Sequence, residues 1–368
     1  MDYTNKGFGT KCVHAGNVHD KQYGALTMPI YQTSTFVFDS CEQGAARFSG
    51  QEAGYIYSRL GNPTSSVLEA KIAALDGAEA TLATASGMGA ISSTLWTVAK
   101  AGAHIVADGT LYGCTYALLS HGMTRYGVEV TFVDSADIAA VAEAAHAYNP
   151  EIKVICDNTF ASPYLQSPLA LGADVVVYSA TKYLNGHGDV IAGFVSGKAD
   201  FVSQVRMFGV KDMTGSVLGP QEAFLILRGL KTFEIRMQRH CESGRKIAEY
   251  LDNHPMVEKV YYPGLASHKN HEVAAKQMRD FGAMISFEVK GGRAAGSKFV
   301  NSLELCTLAV SLGDAETLIE HPASMTHSTY GPEELAAAGI PEGLVRLSVG
   351  LENVEDIIAD LEQGFAKL

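Results

Sequence analysis

The segment Ser179-Ala180-Thr181-Lys182-Tyr183-Leu184-Asn185-Gly186-His187-Gly188-Asp189 holds the densest set of chemically capable side chains in the sequence. It follows the apolar run Val175-Val176-Val177-Tyr178. A lysine just past a buried strand end is partly desolvated, so its amine pKa falls and it can attack a carbonyl to form a Schiff base. The plain alternative is a solvated loop lysine. Asp157, in Val154-Ile155-Cys156-Asp157-Asn158-Thr159, closes a second apolar strand. A carboxylate there is costly to bury unless paired. It could hold a proton on a heterocycle nitrogen or simply close an Asx turn. Ala85-Ser86-Gly87-Met88-Gly89-Ala90 lies between a strand and a helix, where backbone N–H groups can meet an anion. It does not match G-x-G-x-x-G, and such turns are often glycine-rich for steric reasons alone. A lysine for an aldehyde, an acid for a ring nitrogen and a cup for a phosphate together fit pyridoxal 5′-phosphate better than any other cofactor.

These residues need elements to position them. Residues 1–61 are turn-rich and polar-aromatic, with little helical period. From Asn62-Pro63 a helix is expected, with Val67, Leu68, Ile72 and Leu75 at helical spacing and Asp76-Gly77 as its stop. Strands are expected at Ala80–Ala85, His104–Ala107, Val128–Val133, Ile152–Asp157 and Asp174–Tyr178. Helices are expected at Gly87–Ala99, Cys114–Tyr126 and Asp137–Tyr148. Such alternation implies βαβ units, a mostly parallel sheet and a ligand at the carboxyl ends of its strands. After a helical stretch over Pro220–Leu251, strands at Met284–Val289, Leu308–Ser311 and Leu344–Val349 alternate with helices at Gly296–Leu303 and Val354–Phe365, a small α+β domain. The expected division is an arm (1–61), an α/β domain (62–233) and an α+β domain (234–368).

The 368 residues carry 28 basic and 40 acidic side chains, a net charge of −12, which argues against nucleic acid or an anionic membrane as partner. A hydrophobic content of 47% with 18% charged residues argues against disorder. No run reaches the length of a membrane-spanning helix, and Met1–Lys6 lacks the features of a signal peptide. The six cysteines are scattered without a C-x-x-C pair, so reduced thiols and a cytoplasmic location are expected. His187, His321 and His327 lack metal-ligand spacing; structural hydrogen bonds are expected there, and no metal.

At these residues the sequence resembles the transsulfuration, or Cys/Met metabolism, family of PLP-dependent enzymes. The resemblance rests on Ser179-Ala180-Thr181-Lys182-Tyr183 with Asn185-Gly186-His187, on Tyr57-Ser58-Arg59 with Asn62-Pro63-Thr64, and on Ala85-Ser86-Gly87-Met88 and Asp157-Asn158-Thr159. His321-Pro322-Ala323-Ser324-Met325-Thr326-His327 and Val345-Arg346-Leu347-Ser348-Val349-Gly350 complete it, in matching order over nearly the whole chain. It implies a fold-type I (aspartate aminotransferase-like) α/β large domain with a smaller α+β C-terminal domain. It implies that Lys182 carries PLP and shuttles protons, and that Asp157 keeps the ring nitrogen protonated. Gly87, Met88, Ser179 and Thr181 would hold the phosphate, completed by Tyr57 and Arg59 of a neighbouring subunit in a dimer or a homotetramer built from dimers. Tyr112 would stack on the ring and protonate the departing sulfur. Arg346 and Ser311 would bind the substrate carboxylate. Two features, Leu111-Tyr112-Gly113-Cys114-Thr115 and Gly209-Val210-Lys211-Asp212-Met213-Thr214-Gly215, point within the family to α,γ-elimination of L-methionine or a related sulfur amino acid, with Cys114, Lys211 and Asp212 shaping the pocket. Cystathionine γ-lyase and O-acetylhomoserine sulfhydrylase activities are the alternatives.

One departure stands out. After Ser135, relatives continue through a helix and a strand to a Glu-Thr-Pro-x-Asn-Pro segment whose asparagine serves the cofactor 3′-oxygen. Here the chain passes directly to Ala136–Val141. Omitted residues are the expected reason, and an intact mass near 39.2 kDa would defeat that. A real deletion would favour a non-catalytic scaffold. A Ser179-x-x-Lys182 acyltransferase would need S-D-N and K-T-G downstream, and neither occurs.

Overall fold

The computed structural model describes residues 3–136, 141 and 152–368. The N-terminal zone holds more helix than its sequence suggests: α1 (Phe8–His14) and α2 (Cys41–Phe48). Helices this short draw their stability from tertiary contact rather than local period. Phe8 of α1 packs edge-on against Tyr164 and tilts against Phe233, and the Ser40 side chain caps α2 by accepting from Gln43 N. Then α3 (Pro63–Asp76) runs between the punctuation marks its sequence carries. The Asn62 side chain caps it, Pro63 opens it, and Gly77 closes it at φ 69°.

Alternating strands and helices follow: β1 (Ala80–Thr84), α4 (Gly87–Val98), β2 (His104–Asp108), α5 (Gly113–Ala117), β3 (Glu129–Val133), β4 (Ile155–Asp157), β5 (Val175–Ser179) and β6 (Gly193–Gly197). Four of the strands form a sheet in the order β1-β6-β5-β4. β6 runs antiparallel to both neighbours and β5 parallel to β4, so only β6 is reversed. β2 and β3 pair in parallel as a separate two-stranded sheet. Among the described residues the two sheets share no ladder, yet their apolar faces enter one core: Ile105, Ala107, Val130 and Phe132 pack with the cluster containing Val175 and Val177. The helix expected over 137–148 lies almost wholly outside the described residues.

The C-terminal part is a five-stranded sheet, order β7-β8-β11-β10-β9, made of β7 (Val257–Tyr261), β8 (Met284–Val289), β9 (Thr307–Leu308), β10 (Leu318–Glu320) and β11 (Leu344–Ser348). The helices Phe233–Asp252, Gly292–Val300 and Val354–Phe365 cover it around a core of Ile285, Phe287, Phe299, Leu347 and Leu361. Several expected bounds move. The stretch Pro220–Leu251 is two helices that break after Leu230, and the helix expected at Gly296–Leu303 spans Gly292–Val300. The helix expected at Cys114–Tyr126 is α5 followed by a wider turn at Leu118–Gly122 and a tighter one at Met123–Tyr126. The strand expected at Leu308–Ser311 stops at Leu308. Ser311 adopts φ 93°, which an extended ladder cannot accommodate.

Candidate active site

Lys182 lies three residues beyond β5, in the turn that the Lys182 N–H closes onto Ser179 O. Its Nζ donates to the Ser311 hydroxyl at 2.6 Å. Burial, seconded by the Arg346 charge, lowers the Lys182 pKa, while Asp314 and Glu320 oppose that shift. The C-terminal part thus reaches the lysine through one loop. Gly313, two residues after Ser311, adopts φ 73°, and a Cβ there would sit 2.6 Å from Tyr183 N, so the loop backbone closes directly onto the lysine turn. Ser311 is a non-glycine residue held at positive φ, a strain that persists only where the surroundings over-determine it.

Arg346, on β11, stands opposite Glu320 of β10 in the antiparallel ladder. Its Nη1 pairs with Glu320 Oε1 at 3.0 Å, and its Nη2 donates to Ser311 O at 3.0 Å. Lys182, Ser311, Arg346 and Glu320 therefore form one connected group. Glu320 is absent from the sequence-derived set. Its signal was available only indirectly, as the residue before the His321-Pro322 motif.

Asp157 ends β4, and its Oδ1 accepts from Thr159 N at 3.0 Å and Thr159 Oγ1 at 2.6 Å. That is the Asx turn of the plain reading, and it leaves Oδ2 for an outside donor. The side chain reaches solvent while protein crowds around it, and desolvation raises its pKa. Thr159 Oγ1 also accepts from Ser179 N at 2.9 Å, joining the ends of β4 and β5. Thr159 is a second residue the sequence reading did not single out by role.

Across from these strand ends, α4 begins. The Ser86 side chain caps it by accepting from Gly89 N at 2.9 Å, which leaves the Gly87 and Met88 N–H groups directed out of the first turn. A Cβ on Gly87 would lie 2.8 Å from the Ser179 Cβ, so only glycine lets the helix start and the strand end close into a cup. The Thr181 hydroxyl is already engaged, accepting from Ala192 N at 3.1 Å. This cup, Asp157 and Lys182 have the spacing along the chain and the chemistry that suit a phosphorylated pyridine aldehyde.

Tyr112 and Cys114 are exposed, and Cys114 Sγ donates to Tyr112 Oη at 3.4 Å. Cys114 is therefore not the small buried hydrophobe that a cysteine at a helix start most often is. The adjacent Cys114 side chain, followed by partial desolvation, raises the Tyr112 pKa. A separate group joins the arm to the segment Val205–Thr214: Arg59 Nη1 donates to Lys211 O at 2.6 Å, and Lys211 pairs with Asp212. Arg59 also stacks over Tyr57 at 5.8 Å. The histidines are hydrogen-bonded as expected: His187 Nδ1 with Asn185 O, His321 Nε2 with Glu342 O, and His327 Nδ1 with Thr326 Oγ1. No group of three or more potential metal ligands occurs among the described residues. No helix among them is long and apolar enough to cross a membrane.

The chain belongs to the Cys/Met metabolism PLP-dependent enzyme family, whose model matches residues 9–142 and 134–366. It is thus an enzyme of the pyridoxal phosphate class, with the fold of that class. Among curated relatives it is 60% identical to L-methionine gamma-lyase of Fusobacterium nucleatum subsp. polymorphum, covering 100% of both chains. It is 59% identical to L-methionine gamma-lyase of Treponema denticola, covering 98% of this chain and 97% of the relative. Among solved structures, cystathionine gamma synthase from Xanthomonas oryzae pv. oryzae, in complex with aminoacrylate and cysteine, superposes with a TM-score of 0.89 at 39% identity over 98% of each chain. The Fusobacterium alignment spans 397 positions against 368 residues here, so at least 29 positions have no residue in this chain. The two family matches overlap at 134–142.

Proposed function

We propose that the chain catalyses α,γ-elimination of L-methionine, with water, to methanethiol, 2-oxobutanoate and ammonia. The observation that carries it is the Lys182–Ser311–Arg346 group: an amine of lowered pKa bonded to the Ser311 hydroxyl, and a guanidinium suited to a carboxylate bonded to the carbonyl of the same serine. Pyridoxal phosphate, when bound, supplies an electron sink for charge that develops at the substrate Cα. Lys182 would hold it; Asp157 Oδ2 would keep its ring nitrogen protonated; Gly87 and Met88 N–H with the Ser179 hydroxyl would hold its phosphate, joined by the Thr181 hydroxyl once it turns from Ala192 O. Tyr57 and Arg59 would complete that phosphate site from a neighbouring subunit, in a dimer or a tetramer of paired dimers.

The rest of the reaction belongs to side chains of this chain. Lys182 Nζ, desolvated and deprotonated more readily than a solvated lysine, takes the proton from Cα and moves protons at Cβ. Arg346 and Ser311 grip the carboxylate. Cys114 and partial desolvation raise the Tyr112 pKa, which suits an acid that protonates the departing sulfur. Cys114, Lys211 and Asp212 border the thiomethyl group. The three-part division at residues 61 and 233 would place the lysine in the middle part and Arg346 in the last.

The test is direct. Purified protein should be yellow, and borohydride should fix the cofactor on Lys182, as peptide mass will show. Methionine should yield methanethiol faster than cystathionine or O-acetylhomoserine is consumed. Colourless protein that takes up no added pyridoxal phosphate would sink the lysine assignment, and a preference for cystathionine would sink the methionine one.

A further inference from the structure

Glu320 is 3% exposed, an expensive place for a carboxylate unless its charge is answered. Its Oε1 is answered by Arg346 Nη1 at 3.0 Å, but its Oε2 is buried without a partner. Burial raises its pKa, while Arg346, His327 and Lys182 pull the other way. The cross-strand register sets Glu320 directly beside Arg346, and the two Nη groups are held at different points, one by Glu320 and one by the Ser311 carbonyl. A free arginine side chain samples many rotamers; this one is pinned at both ends of its fork. Its remaining N–H donors are thereby aimed, because a guanidinium is planar and its five donors are fixed relative to one another.

We infer that Glu320 is the positioning residue for Arg346: by holding Nη1 while Ser311 O holds Nη2, it presents the remaining guanidinium donors to the carboxylate of the amino-acid substrate. This rests on Arg346 being the carboxylate grip of the proposed function. It adds a residue that touches neither substrate nor cofactor. It also explains the strained Ser311, whose carbonyl and hydroxyl face Arg346 and Lys182 at once.

The probe is 4-(methylthio)butanoate, methionine without its amine, which cannot be turned over; its neutral carboxamide is the control. Binding to the cofactor-loaded protein is measured by calorimetry for wild type, Glu320→Ala, Glu320→Gln and Glu320→Asp. Wild type should prefer acid to amide by tenfold or more. Glu320→Ala should lose most of that preference with amide binding unchanged, and raise KM for methionine far more than it lowers kcat. Glu320→Gln should recover most of the preference, because its amide oxygen still accepts from Nη1. Glu320→Asp, one methylene shorter, should recover less. Thermal denaturation of each variant reports folding, and if the alanine variant does not fold, the ordering of glutamine above aspartate decides. Equal losses for acid and amide, or acid binding as tight in Glu320→Ala as in wild type, would overturn the inference. A loss of methionine turnover with the acid preference intact would overturn it and leave the lyase reading standing. An acid preference that follows Glu320 in a protein inactive on methionine would sustain it while removing the substrate assignment.

Discussion

Cys114 and Tyr112 form an exposed pair whose hydrogen bond runs from thiol to phenol. If this pair borders the thiomethyl group, Cys114→Ser should reduce turnover of methionine severalfold more than turnover of cysteine; equal losses in kcat/KM would remove its claim to specificity. A second residue acts from beneath the site. Asp76 is buried, and its Oδ1 accepts from the Tyr178 hydroxyl, which in turn accepts from Asn158 Nδ2 at 3.2 Å, the residue beside Asp157. Burial raises the Asp76 pKa from 3.8 to about 6. The folded state therefore binds this proton more tightly than the unfolded chain, and stability falls as pH rises from about 4 to about 6. A rise from 3.8 to about 6 corresponds to about 3 kcal/mol. Asp76→Asn keeps the acceptor for Tyr178 and removes the titration, so Tm measured across pH 4 to 7 should decline less in the variant than in wild type.

At the scale of elements, the helix start that faces the strand ends is the testable part. Ser86→Ala removes the side chain that accepts from Gly89 N, and loss of such a cap costs about 1 kcal/mol, to be read as a lowered midpoint in urea. Gly87→Ala acts differently. Its Cβ would collide with Ser179 at 2.8 Å, so α4 and the end of β5 must part. Retained pyridoxal phosphate, followed by its absorbance after dialysis, should drop sharply, while the Ser86 variant keeps most of it. The legibility of elements follows the same division. α3 was readable from Asn62, Pro63 and Gly77 because cap and stop are local chemistry. α1 was not, because its Phe8 is organised by Tyr164 and Phe233 from distant segments. β6, β7 and β10 carry no such local mark: each is a short run whose strand character comes from neighbours that pair with it.

For the whole molecule, the seam between the β2–β3 pair and the four-stranded sheet is the consequential feature. A two-stranded sheet is marginal by itself and here depends on side-chain packing into the shared core. Amides of Ile105–Ala107 and Val130–Phe132 should therefore exchange through a cheaper opening than those of Val176–Tyr178. Equal protection would mean the two sheets behave as one.

The sequence by itself determined the lysine, the acid, the glycine-rich helix start and the alternation of strands and helices, because each is a local statement: a residue type beside an apolar run, or a cap beside a period. It also marked the departure after Ser135. Only the tertiary structure decided what stands next to Lys182. Ser311 is 129 residues away along the chain, and Glu320 meets Arg346 through a ladder between strands. Such contacts depend on register and on which loop closes over which strand end, and no spacing within a linear segment encodes them.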